Sequence, residues 1–293
     1  MRILLTGKNG QVGYELERSL QGRGEIIALG RTQMDLSDLA QVRAVIRDLK
    51  PTLIINPAAY TAVDQAENEP ELAMRINGEA PGVLAEEAKK LGAVMIHYST
   101  DYVFDGSKST PYTEDDTPCP INVYGATKLA GERAIQAAGI PHLILRTSWV
   151  YGMRGKNFLQ TILRLAQERD ELRIVADQHG APTWCRTIAD TTAHIVAQGH
   201  GAQQNLEWWQ QRTGTYHLSA RGQTTWHGFT QEILDRAGAG KRPTLVPIRT
   251  EDYPLPAKRP MHSVLNTERL RQTFCDLPQW QEALSLCMGA AAE

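Results

Sequence analysis

The N-terminal segment restricts what this chain can become more than any other stretch. Arg2 to Thr6 is a short, mostly apolar run of the kind that forms a strand buried on both faces. Gly7-Lys8-Asn9-Gly10-Gln11-Val12-Gly13 follows at once, and Val12, Leu16 and Leu20 then fall on one side of a helix. Gly22 and Gly24 end that helix, and Glu25 to Leu29 is a second apolar strand. Strand, glycine loop, helix and strand within about thirty residues make a βαβ unit of the dinucleotide-binding kind. Gly7 permits the tight turn, Gly10 lets backbone amides approach a pyrophosphate, and Gly13 lets the helix pack close to the strand. The helix that opens at Gln11 and Val12 turns its partial positive charge toward such an anion. The glycines are spaced GxxGxxG rather than GxGxxG.

The next segments extend the alternation. A dinucleotide site that selects the unphosphorylated cofactor places a carboxylate at the end of the second strand. This chain has Gly30-Arg31-Thr32-Gln33 there, and Arg31 suits a 2′-phosphate, so NADPH is expected with NADH as the alternative; a solvated loop arginine is the other reading. Asp35-Leu36-Ser37 leads into a helix with Leu39, Val42, Ile46 and Leu49 on one side, ended by Pro51. Thr52 to Asn56 is a third strand, and Pro57-Ala58-Ala59-Tyr60-Thr61 after it brings small residues to a strand's carboxyl end, where a cofactor needs close backbone. A helix with Met74, Asn77 and Leu84 follows, then a fourth strand over Ala93 to Tyr98 and the run from Ser99 to Gly106. The hydroxyl of Thr100 there points into the crevice and can bond a substrate carbonyl, although a capping threonine would look the same. Tyr124 and Lys128 open another helix four residues apart, which puts them one turn apart on one face. An ammonium beside a phenol favours the phenolate, so the tyrosine's pKa is expected to fall toward working pH and to allow proton exchange with a carbonyl or alcohol. His142 to Ser148 is a further strand, with Trp149-Val150-Tyr151-Gly152 at its end. This order predicts an α/β protein with a doubly wound, mainly parallel sheet of the Rossmann type.

Beyond Gly152 the pattern is mixed. Phe158 to Ala166, Thr187 to Gln198 and Trp226 to Ala237 read as helices; Leu172 to Val175 and Tyr216 to Leu218 read as strands. Gln203 to Arg212, mostly polar with Trp208 and Trp209, reads as a loop or insertion. Tyr253 to Pro260 is irregular, and Asn266 to Phe274 reads as a last helix start. Residues 1–150 are expected to form the dinucleotide-binding domain, with some later segments returning to it, and 151–293 mainly a smaller mixed substrate-binding domain. At 293 residues this division suits the length. A formal net charge of −2 gives no basic stripe for nucleic acid, and no apolar run approaches a membrane span. Cys119, Cys185, Cys275 and Cys287 form no CxxC pair, so neither a disulfide framework nor a zinc site is indicated. The first residues reach glycine before a signal-peptide core could form, and a cytoplasmic location is expected.

Taken together, GxxGxxG, Ser99-Thr100-Asp101-Tyr102-Val103-Phe104-Asp105-Gly106, Tyr124-Gly-Ala-Thr-Lys128 and Arg146-Thr-Ser-Trp149-Val-Tyr-Gly resemble the extended short-chain dehydrogenase/reductase superfamily, and within it the dTDP-4-dehydrorhamnose reductase family. The resemblance continues through Asp177 to Thr183 and Arg259 to Ser263. It implies an oxidoreductase that uses NADPH or NADH to reduce the C4 ketone of dTDP-4-dehydro-L-rhamnose to dTDP-L-rhamnose, a nucleotide sugar for cell-surface polysaccharide. It also implies Thr100, Tyr124 and Lys128 as the catalytic triad. Tyr124 would be the proton donor, Lys128 would bond the nicotinamide ribose and lower the tyrosine's pKa, and Thr100 would hold the carbonyl. By the same resemblance Gly10, Gln11, Val12, Asp35, Leu36, Ala59, Tyr60 and Thr61 line the cofactor, while Thr100, Asp101 and Trp149 contact the nucleotide sugar. Some relatives are dimers joined through Mg2+ held by glutamates; Glu15 offers one ligand, but Arg186 stands where a second acid would be, so no metal residue is assigned and a homodimer stays open.

Sister functions remain open at this point. Nucleotide-sugar 4,6-dehydratases carry an Asp-Glu pair after the threonine, where this chain has Asp101-Tyr102. Epimerase-reductases add a cysteine and a histidine, and Cys119 and His179 sit in no matching motif. A regulatory subunit of methionine adenosyltransferase in animals also resembles these reductases, and such a protein could bind NADP without turning anything over.

Overall fold

β1 (Arg2–Leu5), α1 (Gln11–Ser19) and β2 (Glu25–Ala28) form the first βαβ unit in the computed structural model, which describes residues 1–201, 206–238 and 242–289. α2 (Leu39–Leu49) and β3 (Leu53–Asn56) follow, then the short helices α3 (Val63–Ala66) and α4 (Pro70–Met74). A wide π-turn at Arg75–Glu79 joins α4 to α5 (Ala80–Leu91), and β4 (Val94–Thr100) comes next. α6 (Val123–Ala138) and β5 (His142–Thr147) complete the alternating part.

The five strands β1 to β5 pair in parallel in the order β5-β4-β3-β1-β2. Strand order reverses between β1 and β3, and the crevice at a reversal is where α/β sheets bind ligands. Alternation along each strand explains why the sheet is covered twice. Ile3, Leu5, Leu53, Ile55 and Ile96 enter one apolar core, while Leu4, Ile54, Met95 and Ile144 enter the other with Val42, Ile46, Leu84 and Ile135 from α2, α5 and α6.

The rest of the chain is interleaved with that sheet. β6 (Val150–Tyr151), α7 (Phe158–Glu168), β7 (Glu171–Val175), β8 (His179–Gly180) and β9 (Thr183–Trp184) lead to α8 (Cys185–Gly201). α8 returns to the first core, where Ile188, Ala189 and Ile195 join Leu16 and Leu20 of α1. α9 (Leu206–Gln211) corrects the reading of this stretch as a loop: buried Trp209 lies so close to Gly199 that a Cβ there would sit 2.4 Å from the ring. Residues 203–205 of that expectation lie outside the described residues. β10 (Gly214–His217) then adds a sixth strand beside β5, again parallel. β11 (Thr224–Thr225), α10 (Trp226–Arg236), β12 (Thr244–Ile248), α11 (Glu268–Thr273) and α12 (Trp280–Gly289) finish the fold. β12 pairs with β7, and α7, α10 and α12 build a third core around Tyr151, Phe229 and Leu284. Among the described residues no helix is long and apolar enough to cross a membrane.

Candidate functional site

A cleft of about 830 Å³ opens above the carboxyl ends of the central strands. Its floor begins with the glycine loop. Gly7 has φ +61°, and a Cβ on Gly13 would fall 2.1 Å from the Gly7 carbonyl oxygen, so α1 can start only where both are glycine. Gly10 caps α1 without a side-chain hydrogen bond, and no acid stands in the first turn. The first N–H groups of α1 are therefore left for an anion, a donor set that fits a pyrophosphate.

Arg31, Asp35 and Leu36 border one end of the cleft. The Arg31 guanidinium is exposed and lies 3.2 Å from the Asp35 carboxylate, whose pKa is lowered first by the Ser37 backbone N–H. Ala59, Tyr60 and Thr61 form the facing wall. Asn77, buried in the π-turn, holds that wall in place: its Oδ1 accepts from the Tyr60 N–H at 2.8 Å, and its Nδ2 donates to the Tyr60 carbonyl at 3.0 Å. The sequence shows Asn77 but gives no sign of this clamp, because its spacing matches an ordinary helical polar residue.

Thr100, Asp101, Tyr124 and Lys128 meet at the middle of the cleft. Asn122 caps α6 by accepting from the Gly125 N–H at 2.7 Å and ties its own amide to the Lys258 carbonyl at 2.8 Å, which sets where Tyr124 begins the helix. Thr100 Oγ1 donates to Asp101 Oδ1 at 3.1 Å and accepts from the Tyr102 N–H at 3.1 Å. Asp101 Oδ2 accepts from Ser263 Oγ at 2.5 Å. Burial pushes the Asp101 carboxyl up to about 7, against these hydrogen bonds.

The electrostatics of the pair correct one expectation. Burial pushes the Tyr124 phenol up to about 12, with a Thr100 hydrogen bond pulling the other way and the Asp101 charge adding to the rise. Burial also lowers the Lys128 ammonium to about 8. Lys128 Nζ points into the protein, 2.6 Å from the Tyr98 carbonyl and 3.3 Å from His97 Nε2. Both residues do line the cleft, but desolvation governs the phenol while the Lys128 ammonium is turned toward the Tyr98 carbonyl and His97.

The far wall is aromatic. Trp149 adopts φ +46°, a strained value for a bulky residue, and its ring stacks on Trp226 at 3.5 Å and 5°. Gly180 makes room, since a Cβ there would lie 2.3 Å from the Trp149 ring. Trp226 donates from Nε1 to Gln178 Oε1 at 3.1 Å and packs on Phe158 at 4.6 Å. Sequence reasoning missed Trp226 as a cleft residue, because at three residues before Phe229 it falls on the core stripe of α10.

All the residues singled out from the sequence for cofactor, substrate or chemistry line this one cleft. Cys119 and His179 are not among its lining residues. Among the described residues no group of three or more His, Cys, Asp or Glu side chains is placed to hold a metal ion, and Arg186 lies 3.7 Å from Asp190.

The chain was compared with known proteins. The family described as "RmlD substrate binding domain" matches residues 1–292. A dTDP-4-dehydrorhamnose reductase of Burkholderia thailandensis is 50% identical over 295 residues, covering 98% of both chains. One from Escherichia coli strain K12 is 45% identical, covering 96% of this chain and 95% of the relative. Among solved structures, a dTDP-4-dehydrorhamnose reductase of Bacillus anthracis in complex with NADP superposes with a TM-score of 0.90 at 35% identity, covering 99% of both chains. The Rossmann-type sheet, the cleft at its strand-order reversal and these full-length matches lead to one conclusion: the chain belongs to the RmlD substrate-binding-domain family, that of the dTDP-4-dehydrorhamnose reductases.

Proposed function

We propose that this protein reduces the C4 ketone of dTDP-4-dehydro-L-rhamnose to the alcohol of dTDP-L-rhamnose, with NADPH as reductant. The observation that carries the reading is the convergence of Thr100, Tyr124 and Lys128 on a cleft that also holds an uncapped glycine-loop helix. The names of the relatives support the sugar, and the NADP complex of one of them supports the cofactor.

The free N–H groups of α1 hold the pyrophosphate, and Arg31 faces the 2′-phosphate from the end of β2. When bound, NADPH supplies the hydride. Tyr124 supplies the proton to the C4 oxygen, and a phenol held near pKa 12 arrives at neutral pH with that proton in place. As the proton leaves, the phenolate is steadied by the cation of Lys128 one turn away. Thr100 holds the ketone oxygen beside the phenol, while Asp101, Trp149 and Trp226 face the sugar and its nucleotide.

The test is NADPH oxidation by the purified chain, followed across dTDP- and UDP-linked 4-keto sugars and repeated with NADH and with Arg31→Ala. The expected outcome is fastest turnover with the dTDP-linked 4-keto rhamnose precursor, and a ratio of kcat/KM for NADPH over NADH that falls in Arg31→Ala. Bound NADPH that is not oxidised by any of these sugars would contradict the enzyme reading and favour a binding role. An NADPH/NADH ratio of one, unmoved by Arg31→Ala, would contradict the role given to Arg31.

A further inference from the structure

Beneath the cleft runs a buried polar row that the reaction outlined above leaves unused. On one face of the sheet, the layer formed by Leu4, Ile54, Met95 and Ile144 is wholly aliphatic. One pleat further toward the carboxyl ends, the same face carries Thr6, Asn56, His97 and Arg146, all 4% exposed or less. Asn56 and His97 are direct partners across β3 and β4. Four adjacent buried polar side chains cost stability unless each is paired, so their pairing describes what the row does.

The pairs form a chain that ends on Lys128. The Ala58 N–H, on the loop after β3, donates to Thr6 Oγ1 at 3.2 Å. Thr6 Oγ1 lies 2.6 Å from Asn56 Oδ1, Asn56 Nδ2 lies 3.0 Å from His97 Nδ1, and His97 Nε2 lies 3.3 Å from Lys128 Nζ. The neighbouring carboxylate, Glu132, is taken by a two-pronged pair with Arg146 at 2.9 and 2.6 Å. Lys128 thus meets two neutral partners here, the Tyr98 carbonyl and the His97 ring. An ammonium has only donors, so the ring can hold it only through a nitrogen lone pair. Burial and the Lys128 charge both oppose a second cation at His97, which keeps the imidazole neutral. With its proton on Nδ1, the ring bonds to the Asn56 carbonyl. Turning the Asn56 amide over preserves its contacts to Thr6 and His97, with Oδ1 facing Nδ1–H.

We propose that His97 is a positioning residue for Lys128: the neutral ring accepts the ammonium on Nε2 and anchors it, through Asn56 and Thr6, to the loop that walls the cofactor side of the cleft. The inference rests on the reading of Lys128 as the group beside Tyr124 in an NADPH-dependent reductase, but its geometry can be tested without turnover.

Two measurements on the full-length protein test it. In long-range 1H–15N spectra of 15N-histidine-labelled protein, with the His97 signals assigned by their loss in His97→Gln, the ring should be neutral with Nε2 unprotonated. Its Nε2 shift should move in Lys128→Met. An Nε2–H tautomer, or a shift indifferent to Lys128→Met, overturns the proposal even if the protein proves to be no reductase. In the kinetic arm, His97→Leu should lower kcat by about 100-fold, the scale of a catalytic group displaced by about 1 Å. His97→Gln, whose amide oxygen can accept the same N–H, should recover most of that loss. A folded His97→Leu with the wild-type kcat, or a folded His97→Gln as slow as His97→Leu, overturns it. If His97→Leu does not fold, the spectra and the glutamine variant decide.

Discussion

Tyr124 and Asp101 are neighbouring acids whose protons are both held on by burial, and the consequences differ with the ordinary value of each. The phenol, ordinarily near 10, stays protonated throughout the neutral range when raised to about 12. The carboxyl, ordinarily 3.8 and raised to about 7, changes state within that range. Below pH 3.8 Asp101 is protonated in both the folded and the unfolded chain and costs nothing. Between there and about 7 the unfolded chain ionises while the folded one resists, so stability falls as pH rises through this window and then levels off. The full loss is on the order of 4 kcal/mol. Urea midpoints of the wild type should therefore drop from pH 4.5 to pH 7.5 by more than those of Asp101→Asn. Parallel curves for the two proteins would mean that Asp101 is not buried with its proton. Ser263 gives the same carboxyl a partner from the C-terminal third, so a residue of that region touches the group next to Thr100.

At the scale of elements, α6 carries both Tyr124 and Lys128, and its place is set by how closely it packs on the π-turn. A Cβ on Gly131 would lie 2.2 Å from the Asn77 carbonyl oxygen, which is backbone and cannot swing aside. Gly131→Ala is expected to cost about 1–3 kcal/mol, as overpacking does, and to lower Tm despite alanine's better helix propensity. A Tm equal to or above that of the wild type would show that α6 has slack against Asn77. Much of this layer was legible beforehand, because strands buried on both faces leave unbroken apolar runs such as Leu53 to Ile55, and α6 declares itself by an Asn cap and helical spacing. Other elements left no such trace. β12 contains Pro247 and pairs only with β7, and no strand was expected there. α12 is amphipathic only toward a core built by α7 and α10, and the reading stopped at α11. The π-turn depends on the packing of α4, α5 and α6 together, which no local spacing reports. In the site, Thr100, Tyr124 and Lys128 were legible as motif positions, whereas the fall in the tyrosine's pKa expected from spacing was overturned by burial. His97 and Trp226 sit at positions where an apolar core residue would give the same pattern.

Across the whole molecule, the elements around the cleft are tied together by chain that returns from far away in sequence. Arg259 grips Asp64 with both nitrogens, at 2.5 and 2.6 Å, and the His179 N–H donates to the Met261 carbonyl at 2.8 Å. The glycine loop, the α6 pair and the Trp149 stack thus bound one space, and the returning segment supports it from behind through Ser263 on Asp101 and Arg259 on Asp64. α8 and β10 follow residue 150 in the chain and both lie against the first sheet. The central claim is that hydride and proton are delivered to one carbonyl, with Tyr124 giving the proton. Its most direct test is reduction of dTDP-4-dehydro-L-rhamnose with NADPH deuterated at the transferring C4 position, with Tyr124→Phe run in parallel. One deuterium at sugar C4 and none elsewhere is expected, with a kcat lower by about 100- to 10,000-fold in a folded Tyr124→Phe. Deuterium absent from C4, or a Tyr124→Phe protein that keeps the wild-type rate, would contradict it.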